Sequence, residues 1–472
     1  MRKLFLLCIP VLLFGQIEID TIVRLPSLVV NGYYIPEFDK LYTFGWYEQD
    51  VVDCSTYQLR TRIPHPLSQT WGNYSWNRPR QKLYIGPNVG ADSVTVLDVV
   101  ADTVMRFVPR VGDAGVYVGS TDRFYRPLAH IGLVGIDCAT DTVVSTIPVP
   151  ESGYGFRHPS WDSVHNKLYV SISRWGYPDK ITVYDCATDS LLTIIDVPSR
   201  PNVMNFNCKL HKAYYTPDDM NGPAGVVDIE RDSVVRLFPF GSLGPWNSVA
   251  LDTIDQKAYF MGGVQDSSPA LYVVDCSTDS VIKKLTFPHK PWPVDFACWV
   301  PWSNRLYLTY RQASAYADLG MYVVDCNTDS IIVSNLVLGY YPPFDFQIDP
   351  IRERVFAIGC ESTSVHVLRD VEGGVADAPV TGSRPRASLV LRELNGAFEV
   401  GYELEAPHRV AAAVFDPCGR RIKVLASERQ IPGRHVLRWD GTDGVGVKVA
   451  RGAYFILLDM GGVHARLKAV VR

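Results

Sequence analysis

A short phrase built around a central aspartate recurs along most of this chain and limits its fold more than any other feature. One of the clearest copies reads Val273-Val274-Asp275-Cys276-Ser277-Thr278-Asp279. The aspartates of the seven copies are Asp53, Asp98, Asp137, Asp185, Asp228, Asp275 and Asp325. They lie 45, 39, 48, 43, 47 and 50 residues apart, and a degraded eighth copy has Arg369 in that place. A regular period of this length predicts a repeat architecture.

Each unit carries two further phrases. A basic-x-Tyr phrase precedes the aspartate in Lys40-Leu41-Tyr42, Lys82-Leu83-Tyr84, Lys167-Leu168-Tyr169, Lys212-Ala213-Tyr214, Lys257-Ala258-Tyr259 and Arg305-Leu306-Tyr307. An apolar stretch that closes on proline follows the aspartate, as in Val143 to Pro148 and Leu191 to Pro198. The unit predicts four short strands joined by turns, with no segment of helical period. Four strands in 40–50 residues are typical of a β-propeller blade.

The two ends of the array predict how the ring closes. Asp20 to Pro26 resembles the fourth strand of a unit, Asp102 to Pro109, and the last unit lacks a good fourth strand near Leu368. We expect the N-terminal strand to complete the last blade, which removes a sheet edge. Residues 20–368 number 349, about 44 per blade in eight blades and about 50 in seven. We predict eight blades; seven remain the alternative, because the third unit has no recognisable first strand.

These phrases resemble the YVTN family of β-propeller repeats, which occurs in bacterial and archaeal surface proteins. The resemblance covers about three quarters of the chain. It implies an all-β propeller over residues 17–369. It says little about function, since propellers serve as enzymes, receptors and scaffolds.

The N-terminus predicts export. Met1-Arg2-Lys3 is a basic start, and Leu4 to Phe14 is an apolar run of eleven residues before Gly15. Eleven residues are too few to span a bilayer as a helix, which needs about 20. The pattern is typical of a signal peptide over residues 1–16. We therefore expect an exported protein, extracellular or on the outer cell surface, with no transmembrane segment in the mature chain.

Residues 388–472 predict a second domain, after a linker at 370–387 rich in Gly, Ala, Pro and Ser. Six short apolar stretches and one more near Leu389 indicate a small β-sandwich. Its phrases Val414 to Arg420, Trp439 to Gly446 and Arg451 to Phe455 resemble the immunoglobulin-like C-terminal domain shared by flagellar hook-cap proteins and cargo of the type IX secretion system. The resemblance implies sorting by, and attachment through, the secretion machinery at the cell surface.

The repeated aspartates and cysteines are interpreted as scaffold. No unit has the alternating acidic residues and glycine of a calcium loop, so each Asp is predicted to cap the next turn. Cysteines at one repeat position lie too far apart on adjacent blades to bridge, which predicts buried thiols. The 22-residue spacings Cys186 to Cys208 and Cys276 to Cys298 leave a bridge between blades as an alternative.

No phrase of the chain points to a catalytic residue, a metal or a cofactor. There is no Cys-x-x-Cys, Gly-x-Ser-x-Gly or phosphate loop, and the histidines are scattered. The 46 basic and 50 acidic residues give a net charge of −4, which argues against a nucleic-acid partner.

The best candidate site is a set of aromatic residues near the loops. Loops between the second and third strands vary in length and share one face with the connections between blades. Function concentrates on variable loops of a rigid scaffold. The ligand-binding candidates are Trp71, Tyr74, Trp76, Phe156, Trp175, Trp246, Trp292 and Phe344. Aromatic rings there suit a sugar or a peptide, although rings also pack between blades.

Three hypotheses about function follow. The first is a non-catalytic surface propeller that binds a glycan or protein ligand. The second is a secreted hydrolase, lactonase or lyase, which predicts titratable groups crowded at the central channel. The third is a structural component of a surface layer.

Overall fold

The computed structural model describes residues 13–14, 17–45, 48–64, 74–86, 93–109, 115–128, 132–217, 222–241, 249–262, 270–287, 296–310, 320–338, 343–360, 363–370, 390–394, 396–404, 408–416, 421–431, 433–444, 446–460 and 464–471. These residues form forty strands and no helix. Accordingly, they include no helix that could cross a membrane.

Two N-terminal strands, β1 (Leu13–Phe14) and β2 (Ile17–Arg24), precede the first blade. Blades 1 to 4 are consecutive antiparallel sheets of four strands. Blade 1 has β3 (Asn31–Ile35), β4 (Lys40–Phe44), β5 (Glu48–Asp53) and β6 (Gln58–Pro64). Blade 2 has β7 (Tyr74–Asn77), β8 (Lys82–Ile85), β9 (Ser93–Asp98) and β10 (Thr103–Pro109). Blade 3 has β11 (Val116–Val118), β12 (Arg123–Leu128), β13 (Gly132–Asp137) and β14 (Thr142–Pro148). Blade 4 has β15 (Gly155–Asp162), β16 (Lys167–Ser173), β17 (Asp179–Asp185) and β18 (Leu191–Val197).

Blades 5 to 7 repeat the pattern, and blade 8 takes its outer strands from the N-terminus. Blade 5 has β19 (Asn205–Asn207), β20 (Lys212–Tyr215), β21 (Pro223–Asp228) and β22 (Ser233–Gly241). Blade 6 has β23 (Ala250–Asp252), β24 (Lys257–Gly262), β25 (Ala270–Asp275) and β26 (Ser280–Thr286). Blade 7 has β27 (Ala297–Val300), β28 (Arg305–Tyr310), β29 (Gly320–Asp325) and β30 (Ser330–Leu336). Blade 8 has β31 (Asp345–Asp349), β32 (Arg354–Ile358) and β33 (Ser364–Asp370), followed in space by β2 and β1. The predicted all-β propeller is confirmed, with eight blades in the described residues and a three-residue first strand in the third.

Hairpin turns are specified locally. In the first hairpin of each blade, the residue before the basic-x-aromatic phrase has a positive φ, as at Asn166 (56°) and His211 (54°). Asn, Asp and other polar residues tolerate this left-handed conformation better than branched ones do. In the third hairpin the repeated aspartate caps the turn: Asp185 Oδ1 accepts bonds from the N–H groups of Ala187 (2.7 Å) and Thr188 (3.1 Å). The turn-cap prediction is confirmed.

Because strands alternate in direction, the propeller has two distinct ends. The turn face carries the first and third hairpins of each blade. The loop face carries the connections between second and third strands and between blades. The predicted candidate loops belong to the loop face.

Eight apolar clusters hold the ring together, and each lies between two adjacent blades. Between blades 3 and 4, for example, Tyr125 and Ile147 pack with Leu168 and Val170. The repeat cysteines Cys54, Cys138, Cys186, Cys276 and Cys326 are buried free thiols in such clusters, which confirms their predicted role. Cys208 and Cys298 form no disulfide with Cys186 or Cys276, so the alternative of bridges between blades is wrong.

The basic-x-Tyr phrase makes a polar bond across seven of the eight boundaries between blades. Between blades 2 and 3, Lys82 Nζ and Tyr84 Oη donate to the carboxylate of Asp141, at 2.6 and 2.7 Å. The same arrangement joins the tyrosines Tyr42, Tyr125, Tyr169, Tyr214, Tyr259 and Tyr307 to Asp102, Asp189, Asp232, Asp279, Asp329 and Asp370. The aspartate always belongs to the next blade along the chain.

Strand β2 closes the ring by pairing with β33. The antiparallel register runs from Ile17 opposite Asp370 to Arg24 opposite Ser364, with an irregularity between Ile19 and Thr21. Ile17 joins the cluster between blades 7 and 8, while Val23 joins the one between blades 8 and 1. The closing strand completes blade 8, as the sequence predicts, and it also contributes to both boundaries of that blade.

The C-terminal residues form two further sheets around one core. The first contains β34 (Val390–Leu394), β35 (Ala397–Leu404) and β38 (Gly433–Trp439). The second contains β36 (His408–Phe415), β37 (Arg421–Gln430), β39 (Gly452–Met460) and β40 (His464–Val471). Trp439 is fully buried between them, and its Nε1 donates to the Thr442 carbonyl at 2.8 Å. The indole ring thus belongs to the core of these two sheets; the immunoglobulin-like assignment stays a prediction.

Candidate functional site

The first strands of the blades surround the propeller axis and are joined there by side chains. Neighbouring first strands do not share a backbone ladder, so polar side chains accept their free N–H groups. Ser75 Oγ accepts from Tyr117 N–H at 2.9 Å, and Ser160 Oγ accepts from Met204 N–H at 3.1 Å. These bonds fix the spacing of the strands and so set the shape of the channel.

A cavity of about 330 Å³, here called the axial cavity, is lined by residues in or beside the first strands of blades 2 to 5, the strands nearest the propeller axis. The side chains that line it include Tyr74, Ser75, Val116, His158, Ser160, Trp161, Met204 and Phe206. This volume is at the lower end of the range typical of small-molecule sites. Aromatic rings stand beside hydroxyl and imidazole groups, a combination that suits a ligand with apolar faces and polar edges.

Aromatic rings of blade 1 pack against the cavity residue Tyr74. The ring of Tyr74 lies 4.9 Å from that of Tyr33 and is stacked on that of Phe44 at 5.4 Å, both measured between centroids. Its hydroxyl donates to Asp345 Oδ2 at 3.1 Å. Tyr74 is thus held by three blades, although it comes from the second.

Asp345 is a buried carboxylate at the beginning of the first strand of blade 8. Oδ2 accepts from Gly32 N–H, Tyr74 Oη and Gln347 Nε2, each at 3.1 Å, and Oδ1 accepts from its neighbour's N–H at 2.7 Å. Burial raises the pKa of Asp345 from 3.8 to about 6, although these bonds act in the opposite direction. Four donors already occupy the carboxylate, so its role in the described structure is to join blades 8, 1 and 2.

The aromatic residues predicted as ligand-binding have different positions. Tyr74 lines the axial cavity. Trp76 packs edge-on against Phe38 with centroids 6.3 Å apart, and Phe156, only 2 % exposed, lies in the core between blades 3 and 4. Trp175 is 99 % exposed on the loop face. The remaining candidates are described next.

Phe344 is half-buried beside the backbone of Gly359, where a Cβ would lie 2.6 Å from the Phe344 ring. Trp71, Trp246 and Trp292 lie outside the described residues. The described candidates therefore do not form one surface, and only Tyr74 belongs to the cavity.

The candidates chosen from the sequence do not include Trp161, Phe206 and His158, which line the cavity. A signal for the first two exists in the register of the repeat. Trp161 pairs with Leu168 and Phe206 with Ala213, the middle residues of their basic-x-Tyr phrases. Aligning the units on that phrase places an aromatic residue at the same first-strand position in most blades, including Trp76 and Trp299. His158 has no such signal, because it lies in an irregular part of β15.

Comparison with known proteins supports the fold alone. No family model and no curated protein matches the chain. Among solved structures, the dihydro-heme d1 dehydrogenase NirN in complex with DHE has a TM-score of 0.53 and 12 % identity. That similarity covers 65 % of this chain and 66 % of the other, a little under two thirds of its length. The β-propeller domain of Myceliophteria thermophila Cps50 (Swd1) has a TM-score of 0.46 and 14 % identity, over 62 % of this chain and 95 % of that one. The chain is thus a β-propeller protein by its fold.

Proposed function

We propose that this protein is an exported, non-catalytic receptor whose propeller binds a glycan by inserting a sugar unit into the axial cavity. The observation that carries the proposal is the cavity itself, where Trp161, Phe206 and Tyr74 lie beside the hydroxyls of Ser75 and Ser160. The apolar face of a sugar ring packs on an aromatic ring while its hydroxyls bond to polar neighbours.

The proposal includes export and attachment. The basic and apolar N-terminus supports a signal peptide at 1–16, and the repeats support kinship with YVTN surface proteins. The C-terminal residues 388–472 support a sorting domain with an immunoglobulin-like fold, by their phrases and by two sheets around Trp439. In this proposal the propeller is the ligand-binding part and the C-terminal domain attaches it to the cell surface.

The chemistry of the axis favours binding over catalysis. A general acid needs a carboxyl group that can reach the substrate. The pKa of Asp345, raised by burial to about 6, would suit that task, but its oxygens are already bonded to four donors within the protein.

A glycan array tests the proposal on purified protein that begins at Ile17. We expect selective binding, with a loss of roughly tenfold in affinity for the best ligand in Trp161→Ala, because a stacked ring supplies about 0.5–1.5 kcal/mol beyond the apolar area that it buries. Trp175→Ala is the matched control, since its ring is exposed far from the cavity and its loss should leave binding unchanged.

Two outcomes would contradict the proposal. Loss of binding in Trp175→Ala but not in Trp161→Ala would place the ligand on the loop face instead of the axial cavity. Turnover of the bound glycan into a product by the wild type, at a rate above buffer, would establish an enzyme instead of a receptor.

A further inference from the structure

Two histidines that are 46 residues apart in the chain meet on the turn face. His165 lies in the first hairpin of blade 4 and His211 in the first hairpin of blade 5, with ring centroids 5.2 Å apart. Glu230, in the third hairpin of blade 5, is their neighbour. One possible ligand atom from each of the three lies within 4.8 Å of the other two.

A buried carboxylate orients the first histidine. Asp162 Oδ2 lies 2.6 Å from His165 Nδ1, and Asp162 is fully buried at the end of β15. Its other oxygen accepts from the N–H of Val164 at 2.9 Å, so the carboxylate is fixed in place. With Nδ1 bonded to Asp162, Nε2 of His165 is left to bind a ligand. A carboxylate behind a histidine in this way is the usual outer shell of a protein metal site.

The second histidine presents a nitrogen with no partner in the described structure. His211 Nδ1 is buried and makes no hydrogen bond to any described residue. Glu230 Oε1 lies 3.7 Å from it, too far for a hydrogen bond. The two atoms are thus close to each other without being bonded.

The nearby cations are already paired with other carboxylates. Arg231 Nη1 bonds to Asp228 at 2.8 Å, and Lys167 Nζ bonds to Asp232 at 2.8 Å. Neither Lys167 nor Arg231 therefore forms the partner of Glu230 in the described structure. The carboxylate of Glu230, 55 % exposed, can move without disturbing the core.

We propose that His165, His211 and Glu230 bind a divalent transition metal of the zinc type, which bridges blades 4 and 5. Two imidazoles and one carboxylate are a ligand set that zinc accepts, with water in the fourth position. Ligands about 2.0–2.1 Å from a tetrahedral ion lie roughly 3.4 Å from one another. The 3.7 Å between His211 Nδ1 and Glu230 Oε1 is close to that value, and a small rotation of the exposed Glu230 side chain would shorten the distance to it. The inference does not depend on the proposed glycan function.

Titration with zinc alone tests the proposal. Metal-free protein beginning at Ile17 is titrated against a chromophoric chelator, and cobalt is then used because its visible spectrum reports tetrahedral coordination. We expect one equivalent per chain and a tetrahedral cobalt spectrum. His165→Ala and His211→Ala should each lower the affinity at least 100-fold. Asp162→Asn should lower it about 10- to 100-fold, as expected for an orienting group outside the ligand shell.

Matched controls separate this site from other histidines and from misfolding. His435→Ala, in the C-terminal domain, removes one imidazole and should leave both affinity and stoichiometry unchanged. Melting of each variant without metal checks the fold, and zinc should raise the melting temperature of the wild type but not of His211→Ala. No binding by the wild type, or binding that survives both histidine substitutions, overturns the proposal.

Discussion

Single carboxylates of this protein respond to pH in two opposite ways. The turn caps Asp53 and Asp137 have a pKa lowered by hydrogen bonds from Ser55 and Thr140, so their contribution to stability is lost only as the pH falls below about 3.8. Asp345 has a pKa raised by burial, from 3.8 to about 6. Its charged form is the one that folding disfavours, so its effect appears between pH 3.8 and 6 and has the opposite sign.

Asp345→Asn should therefore change how stability depends on pH. Between pH 6.5 and 4.5 the native wild type takes up a proton at Asp345 that its unfolded chain does not bind, so the free energy of unfolding rises as the pH falls. The variant lacks this gain. Relative to the variant, the wild type should become more stable by about 1–3 kcal/mol over that interval. Urea unfolding at several pH values measures the difference, and a difference that is independent of pH contradicts the assignment.

The roles of residues were predictable from the sequence where they are local. The turn-capping aspartates recur in seven of the eight units and the buried cysteines in five, so both follow from the repeat. Asp345 and its partner Tyr74 are 271 residues apart, and their contact exists only because blades 8 and 2 both reach the axis. The meeting of His165 and His211 depends in the same way on the order of blades, which a scan for local metal motifs does not use.

At the scale of elements, one blade boundary differs from the other seven. Blade 8 has Phe356 where the other blades have the tyrosine of the basic-x-Tyr phrase. Blade 1 has Tyr57 at positive φ where most blades have the accepting aspartate. Both rings belong to the apolar cluster between these blades, so an apolar contact replaces the tyrosine–aspartate bond. Arg352 adds an ion pair to Asp39 across the same boundary.

This difference predicts a pair of compensating substitutions. Tyr84→Phe, at an ordinary boundary, should cost about 1–2 kcal/mol because it removes a buried hydrogen bond to Asp141. Phe356→Tyr alone should also destabilise the protein, since the hydroxyl that it introduces has no carboxylate opposite. When Phe356→Tyr is combined with Tyr57→Asp, part of the lost stability should be recovered. A double-mutant cycle from denaturant unfolding measures the coupling, and additive effects at Phe356 and Tyr57 would contradict it.

Whole-molecule stability depends on a strand that is distant in sequence from the sheet it completes. A chain that starts at Leu25 lacks β2 and exposes the edge of β33, together with the apolar side chains that Ile17 and Val23 cover. We expect this chain to aggregate or melt far below the chain that starts at Ile17. Melting curves and size-exclusion chromatography compare the two.

A peptide supplied in trans distinguishes loss of the strand from general damage. Addition of the peptide 17–24 should restore the melting temperature of the shortened chain, because it can pair with β33 as β2 does. The same peptide with Ile17→Asp and Val23→Asp should fail to do so. Equal stability of the two chains without any peptide would show that β2 is dispensable.

The number of blades and the closing strand followed from the sequence because each unit repeats a recognisable pattern. The cavity could not be predicted from the sequence, since its walls come from the first strands, which are the shortest and least regular part of the repeat. In blade 5 that strand is only Asn205–Asn207. The residues that face this strand across the axis are determined by the geometry of the ring and not by any local sequence pattern.

The exit point of the chain from blade 8 gives the molecule a direction. Chain and ring part at Asp370, where every other blade has its third hairpin. Beyond it, Lys468 of β40 returns to the same end, donating to the Ile351 carbonyl at 2.6 Å and pairing with Glu353 at 3.0 Å. These contacts join β40 to the first hairpin of blade 8, on the turn face, whereas Trp175 is exposed on the opposite, loop face. A partner that binds β40 would therefore act on the propeller from its turn face.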